Sequence, residues 1–335
     1  MAPKQFRLPD LFSICRLKCT VNPHCEKAGI ESATWVIEQQ LFTDKKRLAF
    51  VLGSNELLAS RAYPHANYER LRACLDFINL LFVVDEVSDA QSGHDAFKTG
   101  QTVIMAMKDP SYADDSKVAK ITREFRTRLV RHAHPNFLRR FMESWEDYAN
   151  AFAKEAELRE KNKVLGIQAY TDLRRENSGV RPCFHLLEYA SDADIPDEVF
   201  ENLVFQGMCL CALDMISWSN DLYSYNVEQS KGQDGNNVVT VLMQEQGLHL
   251  QEACDYVGRH FEELYYRFHS GRRSLPSWGT TVDKAVATFV EGLEIWVATN
   301  LEWSFLTQRY FGPSVADVKR TRFVTLRPKV QRNSL

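Results

Sequence analysis

Two sets of oxygen-bearing side chains at helical spacing constrain this chain of 335 residues more than any other feature. The first set lies in the run DEVSD at 85–89, where Asp85 and Asp89 are four residues apart. The second begins about 135 residues later, where Asn220, Ser224 and Glu228 follow one another at the same interval. A step of four residues returns to nearly the same face of an α-helix. Both segments are therefore predicted to be helices with a polar, oxygen-rich face.

Such faces are suited to binding metal ions together with a phosphorylated molecule. Hard cations such as Mg²⁺ take oxygen ligands and commonly share them with substrate phosphates. The competing interpretation is a solvated helix face, and it applies mainly to Asp85 and Asp89. It fits the second set less well, because Asp214 and Asp221 are the only charged residues between 205 and 225. A buried carboxylate is costly unless it is paired or bound to a metal.

The spacing of apolar residues predicts an all-α protein, and neither an alternating strand nor a hairpin signal is evident. Glycine and proline, at 15 and 11 residues, are too sparse to interrupt long helices often. We expect a single-domain α-helical bundle over 31–312, after an irregular segment at 1–30 and before a basic tail at 313–335. Helices are predicted over 32–42, 46–60, 67–90, 98–107, 114–132, 136–177, 197–231, 236–245, 249–270 and 283–309.

Apolar stripes lead into the polar faces on several of these helices. One stripe passes through Phe82 to Asp85, and another near the C-terminus carries Trp296 and Trp303. Helical bundles build ligand sites from inward-facing side chains of neighbouring helices. The stripes thus predict a central cavity with an apolar, aromatic base and a metal-binding rim, although plain core packing is the alternative for Phe77 and Trp296.

Composition excludes several classes of function. A net charge of −3 disfavours nucleic acid as the main partner. We expect a cytoplasmic protein without stable membrane insertion, because no signal peptide and no apolar run of about 18 residues is evident. The eight cysteines include no CxxC pair, which is typical of a reducing compartment. Cys15, Cys19, His24 and Cys25 match no zinc spacing and are expected to be packed side chains.

The motifs together resemble those of class I terpene synthases, most of all the sesquiterpene synthases of basidiomycete fungi. The family motif D(D/E)xxD corresponds to 85–89, and (N/D)DxxSxxxE corresponds to 220–228. The family's diphosphate-sensing arginine, about 46 residues before the second motif, corresponds to Arg174. Its C-terminal Arg-Tyr pair corresponds to Arg309 and Tyr310, and RLPD at 7–10 also has the look of the fungal enzymes. The matches extend over 7–311 in the family's order.

The resemblance implies an α-helical bundle of the class I terpenoid synthase type with a central active-site cavity. It implies a carbon–oxygen lyase acting on phosphates, which ionises farnesyl diphosphate, cyclises the carbocation to a sesquiterpene and releases diphosphate. Three Mg²⁺ ions are implied, with Mn²⁺ as a substitute, and geranyl diphosphate is a shorter alternative substrate. The protein itself is expected to be a monomer or a weak homodimer.

The resemblance also implies a role for each matched residue. Arg174, Arg309 and Tyr310 would contact the diphosphate, and Asn177 and Ser178 occupy the family's linker and effector positions, where the linker is usually acidic. The expected metal ligands are Asp85, Asp89, Asn220, Ser224 and Glu228. The expected pocket residues are Phe82, Trp303, Phe77 and Trp296. The lysine that family members often place before the final glutamate of the second motif is Val227 here, and Lys231, one turn further, is expected to replace it.

The sequence leaves two alternative functions open. A chain-elongating prenyl diphosphate synthase also uses Mg²⁺, but it typically carries aspartate-rich motifs at both sites. The Asn-Ser-Glu set and the Arg309-Tyr310 pair favour cyclisation. A non-catalytic all-α scaffold would keep the apolar stripes and need neither ligand row. The basic tail is either a solvated extension or a lid that orders over the diphosphate.

Overall fold

The computed structural model describes residues 4–43 and 50–329, and fifteen α-helices dominate this part of the chain. The helices, numbered in chain order, are α1 (Leu11–Ile14), α2 (Cys25–Glu38), α3 (Asn55–Ala62), α4 (Tyr68–Ser88), α5 (Gly93–Lys108), α6 (Lys117–Leu129), α7 (Pro135–Glu160), α8 (Ile167–Asn177), α9 (Val180–Ala190), α10 (Asp197–Glu201), α11 (Leu203–Lys231), α12 (Val238–Glu245), α13 (Leu250–Arg273), α14 (Thr280–Ser304) and α15 (Val315–Thr321). The prediction of an all-α fold is confirmed. The helix predicted over 46–60 begins outside the described residues.

The longest helix, α11, contains the second motif. It contains 29 residues and packs against α13, α14, α12 and α8. The side chain of Asn202 caps its N-terminus by accepting hydrogen bonds from the amides of Val204 and Phe205. Gly232, with φ 67°, ends the helix in the left-handed conformation that glycine adopts without strain. The helix therefore begins and ends at residues suited to those positions.

The single helix predicted over 136–177 is wrong, because two helices occupy that range. The first, α7, ends at Glu160, and α8 begins at Ile167 after Gly166. Asn162 lies at φ 50°, in the left-handed region that asparagine enters more readily than most residues. This reversal lets α8 pack back against α7. The prediction also lacked α9, in which Pro182 falls in the first turn, where a helix tolerates proline.

The ends of the described chain meet in a short antiparallel sheet. Strands β1 (Gln5–Arg7) and β2 (Phe323–Thr325) pair with Phe6 opposite Val324, and both of these side chains are buried. No strand was predicted, since three residues are too few to show alternation. The segment at 1–30, expected to be irregular, thus contains β1, α1 and the first residues of α2. The division into 1–30, 31–312 and 313–335 stays a prediction, and residues 330–335 lie outside the described part.

The described helices include none that is long and apolar enough to cross a membrane. All eight cysteines are free thiols. Burial raises the pKa of the Cys15 thiol to about 12, so it is a neutral, packed side chain at physiological pH.

Candidate active site

A cavity of about 440 Å³ opens between α4, α7, α8, α11 and α14. Its inner wall is mainly apolar and aromatic, formed by Phe42, Phe50, Leu58, Ile78, Leu81, Phe82, Tyr148, Val180, Cys183, Ile216, Trp296 and Trp303. Its polar residues include Asp85, Glu86, Asp89, Glu155, Arg159, Arg174, Asn177, Ser178, Asn220, Asp221, Ser224, Glu228, Lys231, Asn236, Arg309 and Tyr310. The predicted ligand rows, Arg174, the Arg309-Tyr310 pair, Lys231, Asn177 and Ser178 thus all line one cavity.

The first ligand row lies at the C-terminal end of α4. The helix ends at Ser88 with Asp89 as its C-cap, and its last turn contains no basic residue. Carboxylates at this end of a helix face the negative pole of the helix dipole, which favours cations. Burial, followed by the charge of Asp89, raises the pKa of Asp85 to about 8. Arg159 Nη1 lies 3.2 Å from Asp89 Oδ1 and offsets part of this negative charge.

The second ligand row lies in the C-terminal half of α11. Asn220 Nδ2 donates a hydrogen bond of 2.8 Å to the Tyr310 hydroxyl, and Asn220 Oδ1 accepts one of 3.1 Å from Arg174 Nη2. Glu228 Oε2 accepts a hydrogen bond of 2.9 Å from Asn237 Nδ2. Burial, followed by the charge of Asp221, raises the pKa of Glu228 to about 7. Both rows therefore hold carboxyl groups whose negative charge the protein alone compensates poorly.

Asp221 has a different role from the ligand row beside it. Its carboxylate accepts hydrogen bonds from the Tyr170 hydroxyl, from Arg174 Nε at 3.0 Å and from the Val238 amide at 2.8 Å. The cost of burying this carboxylate is thus offset by several donors. Asp221 holds Arg174 in place between α8 and α11.

The two neighbouring arginines at the end of α8 point to different partners. Arg174 lines the cavity, whereas Arg175 binds Asp214 through Nε to Oδ1 at 2.9 Å and Nη2 to Oδ2 at 2.6 Å. This bidentate pair also accounts for the second acidic residue in the apolar part of α11. Of these two arginines, Arg174 is therefore the one available to a molecule in the cavity.

A break between α8 and α9 brings Asn177, Ser178 and Gly179 to the cavity wall. Gly179 lies at φ 69°, and a Cβ added there would come within 3.1 Å of the Leu81 side chain. Glycine avoids both the left-handed strain and this close contact. The amide of Val180 is 3.3 Å from Ser178 Oγ, so the serine side chain supports the first turn of α9.

Aromatic rings and the C-terminal pair form one continuous wall. The guanidinium of Arg309 lies over the Phe82 ring at 4.5 Å from its centre. The Trp303 ring is 5.9 Å from Phe82 and 6.0 Å from Tyr310, nearly perpendicular to the latter. Trp303 Nε1 donates to the carbonyl of Gly53 at 3.1 Å, which fixes the orientation of the indole. Phe82 and Trp303 are thus brought together as predicted, and Trp296 lines the same cavity.

Phe77 requires a correction, because its ring does not face this cavity. It is fully buried, with ring centres of Phe125, Phe141 and Trp145 at 5.4, 4.9 and 5.7 Å. Five residues separate it from Phe82, which is a rotation of about 140° around a helix. The side chain therefore belongs to the core between α4, α6 and α7.

One face of α7 also lines the cavity, and it was not predicted from the sequence. Tyr148, Glu155 and Arg159 are seven and four residues apart, so they share one side of the helix. Burial, followed by the charge of Asp89, raises the pKa of Glu155. A signal existed, since Glu155 and Arg159 continue the stripe of buried residues such as Tyr148 and Phe152. It was not specific, because similar charged pairs occur on solvated helices.

The donor set fits a hard divalent cation that is bound partly by other ligands. The candidate ligands are carboxylate, amide and hydroxyl oxygens, with no thiolate or imidazole among them. Within residues 4–43 and 50–329, no group of three or more His, Cys, Asp and Glu side chains is arranged to hold a metal ion. Each ion would therefore depend on Asn220 or Ser224, on water, or on the oxygens of a bound diphosphate.

Comparison with known proteins identifies related sequences over nearly the whole chain. The profile of a family described as terpene synthase family 2, C-terminal metal binding, matches residues 76–267. A Coprinopsis cinerea protein named linoleate 10R-lipoxygenase COP4 is 48% identical, covering 97% of this chain and 94% of its own. Bifunctional terpene synthase Agr4 of Cyclocybe aegerita is 47% identical, with coverage of 98% and 95%. Sesquiterpene synthase 1 of Postia placenta is 38% identical, with coverage of 98% and 97%.

Solved structures show the same fold at lower sequence identity. The crystal structure of a-eudesmol synthase superposes with a TM-score of 0.76 and 21% identity. The similarity covers 86% of this chain and 96% of that protein. The helical architecture around the cavity is therefore that of the superposed structure.

Proposed function

The chain belongs to terpene synthase family 2, and we propose that it is a sesquiterpene synthase that ionises farnesyl diphosphate and cyclises the resulting carbocation. One observation carries this proposal: two rows of oxygen ligands, a sensor-type arginine and an Arg-Tyr pair line a single cavity with an aromatic inner wall. Its volume of about 440 Å³ lies within the usual range for small-molecule sites.

We propose Mg²⁺ as the resident metal, with three ions in the loaded enzyme and Mn²⁺ as a substitute. Asp85 and Asp89 would hold ions on the α4 side, and Asn220, Ser224 and Glu228 on the α11 side. When bound, the ions would neutralise the diphosphate and so make it a better leaving group. Ser224 and Asn220 provide oxygens without adding negative charge.

Residues of the chain would bind the diphosphate and stabilise the charge that develops on it. Arg174 and Arg309 supply cationic donors, and Tyr310 supplies a hydroxyl. Arg174 and Tyr310 are held in place before substrate arrives, because Asp221 and Asn220 bind Arg174 while Asn220 also binds Tyr310. Preorganised donors aimed at developing charge are a major source of rate enhancement. Lys231 lines the same cavity and adds a further cation.

The aromatic wall would shield the carbocation after the carbon–oxygen bond breaks. Ring faces stabilise a cation by about 0.5–2 kcal/mol each, and a dry cavity prevents early capture by water. Phe82, Trp303 and Trp296 line the cavity and would take this role. The fixed indole of Trp303 presents a constant surface against which the flexible chain folds.

Substitution of the second ligand row tests the proposal. We expect Glu228→Gln and Asn220→Ala to lower diphosphate release from farnesyl diphosphate by at least about 10²-fold, the scale of losing a key electrostatic group. Glu262→Gln, at an exposed position on α13, is the control and should retain wild-type activity. Unchanged turnover in both ligand variants, with the fold intact by circular dichroism, would refute the assignment of this cavity.

Other reactions are distinguished by the choice of substrate. One relative carries a lipoxygenase name, so linoleate is a necessary second substrate in the assay. Isopentenyl diphosphate, added with farnesyl diphosphate, reports chain elongation, and geranyl diphosphate reports tolerance of a shorter chain. We propose that none of these exceeds cyclisation of farnesyl diphosphate, by a monomer or weak homodimer in the cytoplasm.

A further inference from the structure

Glu155 of α7 is the end of a hydrogen-bonded chain that leads to the guanidinium of Arg174. Its Oε2 accepts a hydrogen bond of 2.7 Å from Asn177 Nδ2. Oδ1 of the same Asn177 side chain accepts one of 3.4 Å from Arg174 Nη1. The Asn236 side chain also hydrogen-bonds to Glu155. The carboxyl group thus connects three segments of the cavity wall.

The chemistry of these groups determines how the Asn177 amide is turned. An arginine only donates hydrogen bonds, and a carboxylate only accepts them. With Glu155 on one side, the Asn177 amide must direct its nitrogen toward the carboxylate. Its oxygen is then directed toward Arg174. With a side chain at position 155 that can donate as well as accept, such as glutamine, either orientation of the Asn177 amide would be available, and one of them places N–H groups against the guanidinium.

Nη1 of Arg174 depends on Asn177, because the other contacts of the guanidinium are made by Nε and Nη2. Nε and Nη2 both lie 3.0 Å from Oδ1 of the Asp221 carboxylate, and Nη2 also donates to the neutral Asn220 at 3.1 Å. Nη1 has the longest of these contacts, at 3.4 Å from Asn177 Oδ1. A planar guanidinium recognises a phosphate group through a fixed fork of donors, so its orientation matters as much as its charge.

We infer that Glu155 is a positioning residue, which orients Arg174 toward the diphosphate by fixing the amide of Asn177. The resemblance to class I terpene synthases implies an acidic residue at position 177. In this chain the acid comes instead from α7, one side chain further from the arginine. The inference rests on the proposed function to the extent that Arg174 contacts a diphosphate.

A double-mutant cycle tests this relay, by which we mean the hydrogen-bonded path from Glu155 through Asn177 to Arg174. In Glu155→Gln the amide of Asn177 loses its fixed orientation, and in Asn177→Asp two carboxylates face each other. We expect each single variant to bind inorganic pyrophosphate, in the presence of Mg²⁺, about tenfold more weakly, the scale of one charge-assisted hydrogen bond. In the double variant the new amide at position 155 can donate to the new carboxylate at position 177. That carboxylate can also accept directly from Arg174, so the affinity should return to within about threefold of wild type.

Controls separate positioning from a loss of fold. Glu157→Gln, two residues away, removes a carboxylate that pairs on the surface with Lys154 at 2.8 Å, and it should bind pyrophosphate like wild type. Asn177→Ala removes the middle of the relay and retains Glu155, so it should also bind pyrophosphate about tenfold more weakly. It therefore tests the relay even if Glu155→Gln folds poorly. Additive losses in the double variant, or a Glu155→Gln variant with wild-type affinity, would overturn the inference.

The readout also separates this inference from the proposed function. Pyrophosphate affinity is measured by calorimetry and requires no turnover. A wild-type protein that binds pyrophosphate but forms no terpene would contradict the proposed function, while the cycle would still test the relay. With turnover, the single variants should lose kcat as well, and the double variant should recover it.

Discussion

At the scale of single residues, two adjacent arginines have different roles, one in the cavity and one in stabilising the fold. Arg174 lines the cavity, and Arg175 is paired with Asp214 on the other side of α8. We expect Arg174→Gln to lower kcat/KM for farnesyl diphosphate by about 10²–10³-fold. It should destabilise the fold less than Arg175→Gln, because Asp221 keeps its hydrogen bonds from Tyr170 and Val238. Arg175→Gln should destabilise the fold by about 1–3 kcal/mol, since it leaves Asp214 without its partner, and should retain most activity.

Steady-state kinetics and urea unfolding of both variants measure this difference in role. If both variants lost activity equally, with no difference in stability, the two arginines would share one role. Since the residues are neighbours on one helix turn, each serves as the matched control for the other.

A buried histidine makes stability depend on pH. Burial, followed by the nearby charge of Arg140, lowers the pKa of His185 from 6.5 to about 3. Between these values the unfolded chain binds the proton and the folded one does not, so the contribution of this group to stability falls as pH falls through 6.5. We expect the contribution of His185 to the free energy of unfolding, taken as the difference between wild type and His185→Gln, to decrease between about pH 7 and pH 5. The slope attributable to this group is at most about 1.4 kcal/mol per pH unit.

His185→Gln removes this titration and leaves the other groups in place, so the two profiles should differ in slope between about pH 7 and pH 5. The measurement is urea unfolding of both proteins at several pH values in that window. Parallel profiles would show that His185 is protonated in the folded state as easily as in the unfolded one.

At the scale of elements, the break between α8 and α9 depends on one glycine. We expect Gly179→Ala to destabilise the protein by about 1–3 kcal/mol, because the residue has a positive φ and a Cβ would crowd Leu81. Gly207, inside α11 with nothing within 4 Å of an added Cβ, is the control. Gly207→Ala should stabilise the helix by up to about 1 kcal/mol. Chemical unfolding measures both, and equal effects would show that conformation at position 179 is not limiting.

Arg327, just after the C-terminal strand, forms hydrogen bonds to the helix of the second motif and to Tyr310. The Arg327 amide donates to Asn226 Oδ1 at 2.9 Å, and Gln229 Nε2 donates to the Arg327 carbonyl at 2.9 Å. Arg327 Nη2 donates to the Tyr310 carbonyl at 3.2 Å. The part of the tail up to Lys329 is therefore attached to α11, which neither the solvated-tail nor the lid interpretation describes.

Truncation tests this attachment. A chain ending at Thr321 loses β2 and Arg327, and we expect kcat/KM to fall by at least about tenfold, because Tyr310 loses its backbone support. Stability should fall by about 3–5 kcal/mol, from several hydrogen bonds and the buried Val324. A chain ending at Lys329 keeps these contacts and is the control. Wild-type kinetics in the shorter chain would mean that the strand plays no part in the site.

At the scale of the whole molecule, the fold class and both ligand rows are predictable from sequence because they depend on local periodicity. Residues four apart share a helix face wherever that helix is packed. The rotation of one helix against another is not local, and this is why Glu155 was missed. The error at Phe77 has another cause, since local periodicity alone separates it by about 140° from Phe82 on the same helix. The break in the helix predicted over 136–177 was likewise hidden, since an isolated asparagine at position 162 is a weak signal of chain reversal.

The resemblance that the motifs suggested is confirmed by the family profile over 76–267. The contacts that orient Arg174 could not be read from motifs, because Asp221 and Glu155 come from helices distant in sequence. Asp221 lay inside the motif, but its partners Tyr170 and Val238 are visible only in the folded chain.

The most direct test of the proposed function is incubation of the purified protein with farnesyl diphosphate, with Mg²⁺ or with EDTA. Volatile products are then identified by gas chromatography with mass spectrometry. A sesquiterpene synthase should form a cyclic sesquiterpene hydrocarbon or alcohol only in the sample with Mg²⁺. A protein that forms no volatile product, yet elongates farnesyl diphosphate when isopentenyl diphosphate is added, would contradict the proposed function.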